Sequence, residues 1–474
     1  MKLNREFDTI CAISTPLGPG GIGIVRMSGP ASPTILQSIF SPASKDCTYE
    51  SHRLYYGHII EPDTGNIVDE ALCAYMKAPH SYTREDVVEI QCHSGPAVLT
   101  RILQLCVESG ARLAEPGEFT KRAFLNGRIG LDQAEAIMDM ISAQGQGLCK
   151  IAAGGLSGAL GQKINNIRDE LLFCLSALEV AIDYPEDIEE IVESEKIAQR
   201  LEHKVVADLK ELINAFERTK IQRFGARVML LGKPNVGKSS LMNALSCEER
   251  AIVTDIPGTT RDVIEKNIDI GGIPVILTDT AGIRNAPDPI ERIGMEKTKE
   301  FVEDSILLLW MLDLEAGFSH EDAKVAEFLT DHDSSIKIMI FNKKDAVPHP
   351  DKKATEMLEK LSSIHANISS LPKHIISAKK HEGIEELISE MERLLISGES
   401  YNEISIAPNL RQKELLEKTL LNVEECIKGL IQGISPELIT IDLRQALQYL
   451  GEITGETATE DILDEIFSKF CLGK

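Results

Sequence analysis

No run of apolar residues in this sequence is long enough to cross a membrane. The longest, residues 306–312, holds seven residues, whereas a membrane-spanning helix requires about 20. Residues 1–10 carry four charged side chains, so they lack the apolar core of a secretory signal peptide. We therefore expect a soluble, cytoplasmic protein that does not associate with a membrane.

The sequence also lacks paired cysteines. Its ten cysteines are scattered, and none forms the C-x-x-C spacing that is typical of a zinc site. A chain of 474 residues is too long to need disulfide bonds for stability. Free thiols in a reducing compartment are therefore expected.

Positive charge is scarce. Lysine and arginine number 50 against 74 aspartates and glutamates, which gives a net charge of −24. Because neutralisation of phosphates supplies most of the nonspecific affinity for nucleic acids, this charge opposes such binding. Any role with a nucleic acid must therefore use a local basic patch or a basic partner.

The spacing of apolar residues divides the chain into four predicted segments. Residues 1–125 contain short apolar stretches broken by Gly and Pro, which predict a mixed α/β domain. Residues 126–222 and 398–474 repeat apolar residues every three or four positions, as helices do. Between them, residues 223–397 contain near-continuous apolar runs typical of a parallel sheet with both faces covered. We therefore predict an α/β domain inserted into a helical domain.

One acidic segment, residues 183–195, holds seven carboxylates and no basic residue. Such a charge run is typical of a solvated helix face or loop. The alternative is a metal site, which would need oxygen ligands in a defined geometry.

A phosphate-binding pattern begins the inserted domain. Residues 232–239 read GKPNVGKS and directly follow an apolar run that ends at Leu231, matching G-x-x-x-x-G-K-[ST]. The glycines let backbone amides point at phosphates, Lys238 offers a charge to the β- and γ-phosphates, and Ser239 offers a hydroxyl to Mg²⁺.

Three further motifs follow in order at the ends of predicted strands. DTAG at 279–282 places Asp279 to hold magnesium and the Gly282 amide to sense the γ-phosphate. NKKD at 342–345 ends in an Asp that can accept from the ring N–H and the exocyclic amine of guanine. SAK at 377–379 can pack against the base.

Together these motifs predict a Ras-like P-loop GTPase domain with a mostly parallel sheet. The GTP-binding residues they supply are Asn235, Val236, Gly237, Lys238, Ser239, Ser240, Asp279, Thr280, Ala281, Gly282, Asn342, Lys343, Asp345, Ser377, Ala378 and Lys379. Small GTPases have a Gln after the last glycine of DTAG, and this Gln orients the attacking water. Here that position is Ile283, so another group must order the water.

Segments along the whole chain resemble one family. Residues 232–240, TDIPGTTRD at 254–262 and DTAG resemble the TrmE–Era–EngA class of GTPases. GGIGIVR at 20–26, PGEFTKRAF at 116–124 and FCLGK at 470–474 narrow the resemblance to the bacterial tRNA-modification GTPase MnmE (TrmE) family. That family usually has Ile where this chain has Leu472, a mild departure.

The resemblance implies a potassium-activated GTPase whose two G domains meet during hydrolysis. Asn235 matches a potassium ligand, and Glu291 matches the catalytic glutamate, although composition alone would make Glu291 a surface carboxylate. Catalysis also involves Lys238 and Thr260. The loop implied to contact GTP comprises Thr254, Asp255, Ile256, Pro257, Gly258, Thr259 and Thr260. Of these, Thr254, Ile256 and Thr259 complete the potassium site, and Thr260 joins Ser239 on magnesium. A monovalent cation can replace an arginine finger because both supply positive charge.

The resemblance also implies that residues 1–125 form a homodimer and bind 5,10-methylene- or 5-formyltetrahydrofolate. The matching folate positions are Arg26, Glu89 and Arg128. Lys474 is either a disordered end or a ligand to the folate tail, and the resemblance favours the ligand. The family often has Lys at the position of Arg128, and Glu89 is equally well read as a strand-end surface residue. Cys471 has two interpretations, a free and buried structural thiol or a catalytic one.

The resemblance implies that GTP hydrolysis is coupled to the addition of a carboxymethylaminomethyl or aminomethyl group at C5 of the tRNA wobble uridine. The resemblance implies a heterotetramer with an FAD-dependent partner, MnmG, and we expect the acidic chain alone to bind tRNA weakly.

One alternative is a ribosome-assembly switch that binds rRNA, although the second phosphate loop of tandem assembly GTPases is absent from the sequence. Another is a folate-dependent one-carbon enzyme that the GTPase domain regulates.

Overall fold

The computed structural model describes residues 8–18, 20–44, 48–143, 145–183, 194–248, 264–279, 305–330, 336–363, 368, 370–396 and 404–474. The chain divides into two compact units. One comprises residues 1–138, 154–211 and 409–474, and the other comprises residues 139–153 and 212–408. The finer division into four domains stays a prediction.

The first unit contains a seven-stranded sheet in the order β3-β4-β5-β6-β2-β1-β7. Its strands are Ile10–Ile13 (β1), Gly23–Ser28 (β2), Phe40–Pro42 (β3), Arg53–Ile60 (β4), Ile67–Met76 (β5), Val87–Cys92 (β6) and Arg112–Leu113 (β7). The strand pairs are antiparallel except β1 with β7. Helices Ser32–Ile39 (α1) and Pro96–Glu108 (α2) pack on one face, where Ile35, Leu99 and Ile102 are fully or almost fully buried. The predicted mixed α/β fold is confirmed.

A short helix, Glu118–Leu125 (α3), follows this sheet, and the chain then becomes helical. The next helices are Leu131–Ser142 (α4), Gln146–Leu156 (α5), Ala159–Asp183 (α6), Ser194–Arg200 (α7) and Ala207–Phe224 (α8). The predicted apolar face of residues 201–216 is buried. This face begins in a π-helical turn, Leu201–Val206. The apolar spacing does not predict such a turn, because Leu201 and Val205 lie on the same side of a π-helical turn as they would of an α-helical one.

Of these helices, α5 and α8 lie mostly in the second unit. The last three helices of the first unit are Leu410–Gln432 (α13), Pro436–Thr454 (α14) and Glu460–Ser468 (α15). Helix α13 begins at a capping box, in which Asn409 and Gln412 each accept from the other's backbone N–H. Phe467 and Phe470 pack with Leu131 and Ala134. This packing brings residues 471–474, called the tail segment below, beside the seven-stranded sheet.

The second unit contains a six-stranded sheet in the order β13-β12-β11-β8-β10-β9. Its strands are Ala226–Leu231 (β8), Ile264–Ile270 (β9), Ile273–Asp279 (β10), Leu307–Asp313 (β11), Ile336–Asn342 (β12) and Lys373–Ile375 (β13). Only β9 is antiparallel to its neighbour. The described helices that lie wholly within this unit are Lys238–Glu248 (α9), His320–Thr330 (α10), Pro350–Ser362 (α11) and Ile384–Ile396 (α12).

Both faces of this sheet are buried. Leu309 and Met311 belong to one apolar core, and Leu308 and Trp310 belong to the other. The near-continuous apolar runs therefore reflect a doubly covered parallel sheet, as predicted. Among the described helices of the whole chain, none combines the length and apolarity that crossing a membrane requires.

Candidate functional site

The phosphate loop, residues 232–237, joins the end of β8 to the start of α9. Its conformation depends on two glycines with positive φ, Gly232 at +149° and Gly237 at +105°. A Cβ at Gly232 would lie 2.6 Å from the carbonyl oxygen of Met311, and a Cβ at Gly237 would overlap the Asn342 side chain. Both positions therefore require glycine, and the loop turns its backbone toward the N-terminus of α9.

Lys238, the first residue of α9, is buried, with 6% of its surface exposed. Its Nζ donates to the carbonyl oxygens of Gly232 at 2.9 Å and Lys233 at 3.0 Å. The loop thus holds the ammonium group over its own backbone, where it can neutralise a phosphate.

Ser239 and Asp279 lie together, as their motifs predict. The Ser239 hydroxyl donates to Asp279 Oδ2 at 3.1 Å, and Asp279 is fully buried at the end of β10. A hydroxyl and a carboxylate are the hard oxygen donors that Mg²⁺ prefers. These two residues therefore fit a magnesium ion at the phosphate loop.

The base-binding motifs are joined to the phosphate loop by hydrogen bonds. Asn342 Nδ2 donates to the carbonyl oxygen of Val236 at 2.8 Å, and the Ala378 N–H donates to Asn342 Oδ1 at 3.0 Å. Ser377 donates to Asp345 Oδ1 at 2.6 Å, and this hydrogen bond lowers the pKa of Asp345. The exposed Asp345 carboxylate is thus kept ionised and can accept from guanine.

Two features of this site were missed by sequence reasoning. Lys233 Nζ forms a buried ion pair with Asp322 at 3.0 Å and donates to the Gly317 carbonyl at 3.0 Å. Lys343, which has a φ of +67°, pairs with Asp313 at 2.8 Å. No motif signals these contacts, because Lys233 and Asp322 are 89 positions apart.

Several predicted residues fall outside the described parts of the chain. They are Thr254, Asp255, Ile256, Pro257, Gly258, Thr259, Thr260, Thr280, Ala281, Gly282 and Glu291. Most of the acidic segment, residues 184–193, also lies outside them. Within the described residues there is no cluster of three or more His, Cys, Asp or Glu side chains that could hold a metal ion.

The first unit brings together the residues predicted to bind folate. Arg26 on β2 and Glu89 on β6 are direct cross-strand partners. Arg26 donates to Glu89 Oε1 from Nε at 2.9 Å and from Nη2 at 2.8 Å. Their side chains are only 15% and 20% exposed. Glu89 is therefore part of a cluster on the sheet rather than an isolated strand-end residue.

The tail segment reaches the same cluster. The Gly473 carbonyl accepts from Ser14 Oγ at 3.1 Å and from Arg26 Nη1 at 3.3 Å. Burial and the neighbouring Arg26 lower the pKa of Lys474. Cys471 is an exposed free thiol, so the buried structural interpretation of this residue is wrong.

Tyr82 links Arg26 to Arg128. The guanidinium carbon of Arg26 lies 5.5 Å from the Tyr82 ring centroid, and that of Arg128 lies 4.8 Å from it. Arg128 also donates to the Tyr82 carbonyl at 3.2 Å. Sequence reasoning missed Tyr82 because its role depends on two arginines that are distant along the chain.

The nucleotide site and its sheet define a P-loop GTPase. Residues 131–471 match the family model described as the MnmE helical domain, and residues 9–128 match that of the GTP-binding protein TrmE N-terminus. The chain is 44% identical over 469 residues to the tRNA modification GTPase MnmE of Desulfotalea psychrophila, covering 98% of both chains.

A second relative is the tRNA modification GTPase MnmE of Thermoanaerobacter pseudethanolicus, at 45% identity over 471 residues, with 99% of this chain and 100% of that one covered. Among solved structures, Era of Aquifex aeolicus bound to GDP·AlF4⁻ is 26% identical with a TM-score of 0.30, covering 41% of this chain and 67% of that one. The chain belongs to the MnmE (TrmE) family.

Proposed function

We propose that this chain is a potassium-activated GTPase that modifies tRNA together with an FAD-dependent partner, MnmG. The modification is a carboxymethylaminomethyl or aminomethyl group at C5 of the wobble uridine, and tetrahydrofolate donates the one-carbon unit. One observation carries the proposal. This chain, a member of the MnmE family, has a guanine-nucleotide site in one unit and the cluster of Arg26, Glu89 and Lys474 in the other.

In the nucleotide site, each described residue has a defined task. Lys238 neutralises the β- and γ-phosphates, and Ser239 with Asp279 orients the magnesium ion. Asp345 accepts two hydrogen bonds from guanine, which adenine cannot donate. A magnesium ion held by Ser239 and Asp279 would supply positive charge that offsets the charge of the phosphates.

Hydrolysis requires a positive charge and an ordered water. We assign the charge to a potassium ion held by Asn235 with Thr254, Ile256 and Thr259, and the ordering of water to Glu291. Asn235 has a φ of +61° and an exposed side chain on the phosphate loop, which fits a ligand near the phosphates. Potassium supplies positive charge where negative charge develops.

In the first unit, the Glu89 carboxylate can accept from the pterin ring, and Arg26, Arg128 and Lys474 can pair with the carboxylates of the folate. The exposed Cys471 lies two residues from the Gly473 carbonyl that Arg26 and Ser14 hold. This position supports a role for its thiol in the chemistry.

A homodimer through residues 1–125 is supported by the outer face of the seven-stranded sheet. Leu54, Tyr56 and Leu72 are exposed there by 58%, 49% and 39%, and Tyr56 is the direct partner of Leu72. Contiguous exposed apolar side chains are typical of interaction surfaces.

The GTPase part is tested by measuring GTP turnover in potassium and in sodium at equal ionic strength. We expect faster turnover in potassium, and Asn235→Ala removes the difference. Asn243→Ala is the matched control, because Asn243 is exposed on α9 and bonds only Lys266 among the described contacts. Equal rates in both salts would remove potassium from the mechanism.

The tRNA part is tested by mass spectrometry of nucleosides after incubating tRNA with the chain, the flavoprotein partner, GTP, a tetrahydrofolate donor and, as amine donor, glycine or ammonium. The modified uridine should form only in the complete mixture, and Arg26→Gln should stop it without slowing GTP turnover. Unmodified tRNA from the complete mixture, with active GTP turnover, would favour a ribosome-assembly switch instead.

A further inference from the structure

An open cleft of about 440 Å³ lies beside Tyr82. Its lining includes four basic side chains, those of His52, His80, Arg84 and Arg128. Among the residues that the structure describes, no carboxylate lines it. This volume falls within the range of small-molecule sites, roughly 300–1,000 Å³. In a chain with a net charge of −24, a concave surface with only basic charges is suited to an anion.

Arg84 and Arg128 differ from the other described arginines of residues 8–128. The others each form an ion pair with a carboxylate: Arg26, Arg53, Arg101, Arg112 and Arg122. Arg84 and Arg128 form no ion pair within the described chain. Arg84 donates to the carbonyl oxygen of Asn126 at 2.9 Å, and Arg128 donates to that of Tyr82 at 3.2 Å. Since a guanidinium has five N–H donors, both retain donors for a ligand.

The backbone is strained at this cleft. Across the described residues, five non-glycine residues have a positive φ. Two of them, Asn235 and Lys343, lie in the nucleotide site, and two, His52 at +63° and Arg84 at +61°, line the cleft. Such strain is concentrated at functional sites, where the surrounding structure maintains it.

The cleft begins where the proposed folate site ends. Arg128 and Tyr82 line it, and the same Tyr82 ring contacts Arg26. A folate could place its pterin ring at Glu89 and its first carboxylates at Arg26 and Arg128. A longer ligand bound in this way would continue into the cleft. The apolar side chains of Met76 and Pro79 also line it.

We propose that the cleft binds the poly-γ-glutamate extension of the folate, with Arg84 contacting the carboxylates beyond the first glutamate. This inference rests on the proposed folate site. Each added γ-glutamyl unit carries one carboxylate, which a guanidinium binds in a fork geometry, and a methylene pair that can pack on Met76 and Pro79. RNA phosphates fit less well, because RNA binding uses broad basic surfaces and this chain is acidic.

The test compares 5-formyltetrahydrofolate with one and with three glutamates, by calorimetry on the purified full chain. We expect the triglutamate to bind about ten-fold more tightly, a difference of about 1.4 kcal/mol, because Arg84 pairs with a carboxylate that the monoglutamate lacks. Arg84→Gln should abolish this gain and leave the monoglutamate affinity unchanged. Arg53→Gln is the matched control, because it also removes one positive charge but Arg53 pairs with Glu50.

The outcomes separate the two proposals. If neither folate binds, the folate site itself is wrong and this inference falls with it. If both bind with equal affinity, or if Arg84→Gln and Arg53→Gln reduce the gain equally, the folate site stands and the cleft assignment is overturned. A short RNA whose binding depends on Arg84, with the glutamate preference unaffected, would overturn it too and assign the cleft to phosphates.

Discussion

At the scale of single residues, we expect Asp345 to decide which base the nucleotide site accepts. Its exposed carboxylate is ionised and supported by Ser377. Asp345→Asn replaces one acceptor by a donor that faces the donors of guanine, so GTP affinity should fall at least about 100-fold. Xanthosine triphosphate, which has an acceptor in place of the exocyclic amine, should gain affinity.

Competition against a fluorescent guanine nucleotide measures both affinities for Asp345→Asn. Asp351→Asn is the control, because Asp351 is exposed in the first turn of α11. Unchanged GTP affinity in Asp345→Asn would remove this residue from base recognition.

Lys474 gives the proposed folate site a dependence on pH. Burial and Arg26 lower its pKa from the ordinary 10.5. Because only the ammonium form attracts a carboxylate, folate affinity should decrease as pH rises through this lowered pKa, below the pH at which a free lysine loses its charge. Titrations between about pH 7 and pH 10 should show this decrease, and Lys474→Met should flatten it. An equal decrease in Lys474→Met would assign the effect to another group.

At the scale of elements, the loop from Asp313 to Asp322 joins two motifs of the nucleotide site. It contacts the phosphate loop through the Lys233–Asp322 ion pair and the base motif through the Lys343–Asp313 ion pair. Asp322 is fully buried and Lys233 nearly so. This loop therefore fixes the distance between the phosphate and base ends of the site.

Asp322→Ala should strongly destabilise the second unit, because a buried ammonium without its partner costs about 3–5 kcal/mol. The double variant Lys233→Met with Asp322→Leu should recover most of this loss. Trp310, the only tryptophan of the chain and fully buried on β11, reports urea unfolding of this unit by fluorescence. A loss in the double variant as large as in the single one would contradict the explanation.

The capping box of α13 makes a separate prediction. Asn409 accepts from the Gln412 N–H at 2.9 Å, so Asn409→Ala should lower the free energy of unfolding by about 1 kcal/mol. Asn409→Ser keeps an acceptor and should lose less. Circular dichroism during urea unfolding measures this effect, and the Trp310 transition should not move. A shift of the Trp310 transition alone would contradict the assignment.

At the scale of the whole molecule, we expect the charge of −24 to limit binding of tRNA to the chain alone. Because few phosphates can be neutralised, the affinity for tRNA should be weak. Proteins that make 6–10 phosphate contacts lose about 10³–10⁵-fold in affinity as salt rises, and the loss for this chain should be smaller. Fluorescence anisotropy of labelled tRNA between about 50 and 200 mM salt tests this, with and without the proposed flavoprotein partner. Tight, steeply salt-dependent binding by the chain alone would contradict it.

Local patterns predicted the sheet and the phosphate end of the site well. The apolar run before GKPNVGKS is a strand, β8, and the Ser239–Asp279 contact follows from two strands that end at the same sheet edge. Contacts between distant residues could not be predicted in this way. The contacts of Tyr82 with two arginines, and the ion pair of Lys233 with Asp322, depend on packing that no local spacing encodes.

The docking of the tail segment has a consequence for biosynthesis. Ser14 and Gly473 are 459 positions apart, so their contact can form only after nearly all described residues have left the ribosome. Long-range contacts form late, because closing a long loop is entropically unfavourable. The nucleotide-binding unit can therefore fold on the nascent chain while the cluster at Arg26 is still open. A newly made molecule would gain its capacity for guanine nucleotides before the cluster at Arg26 is complete.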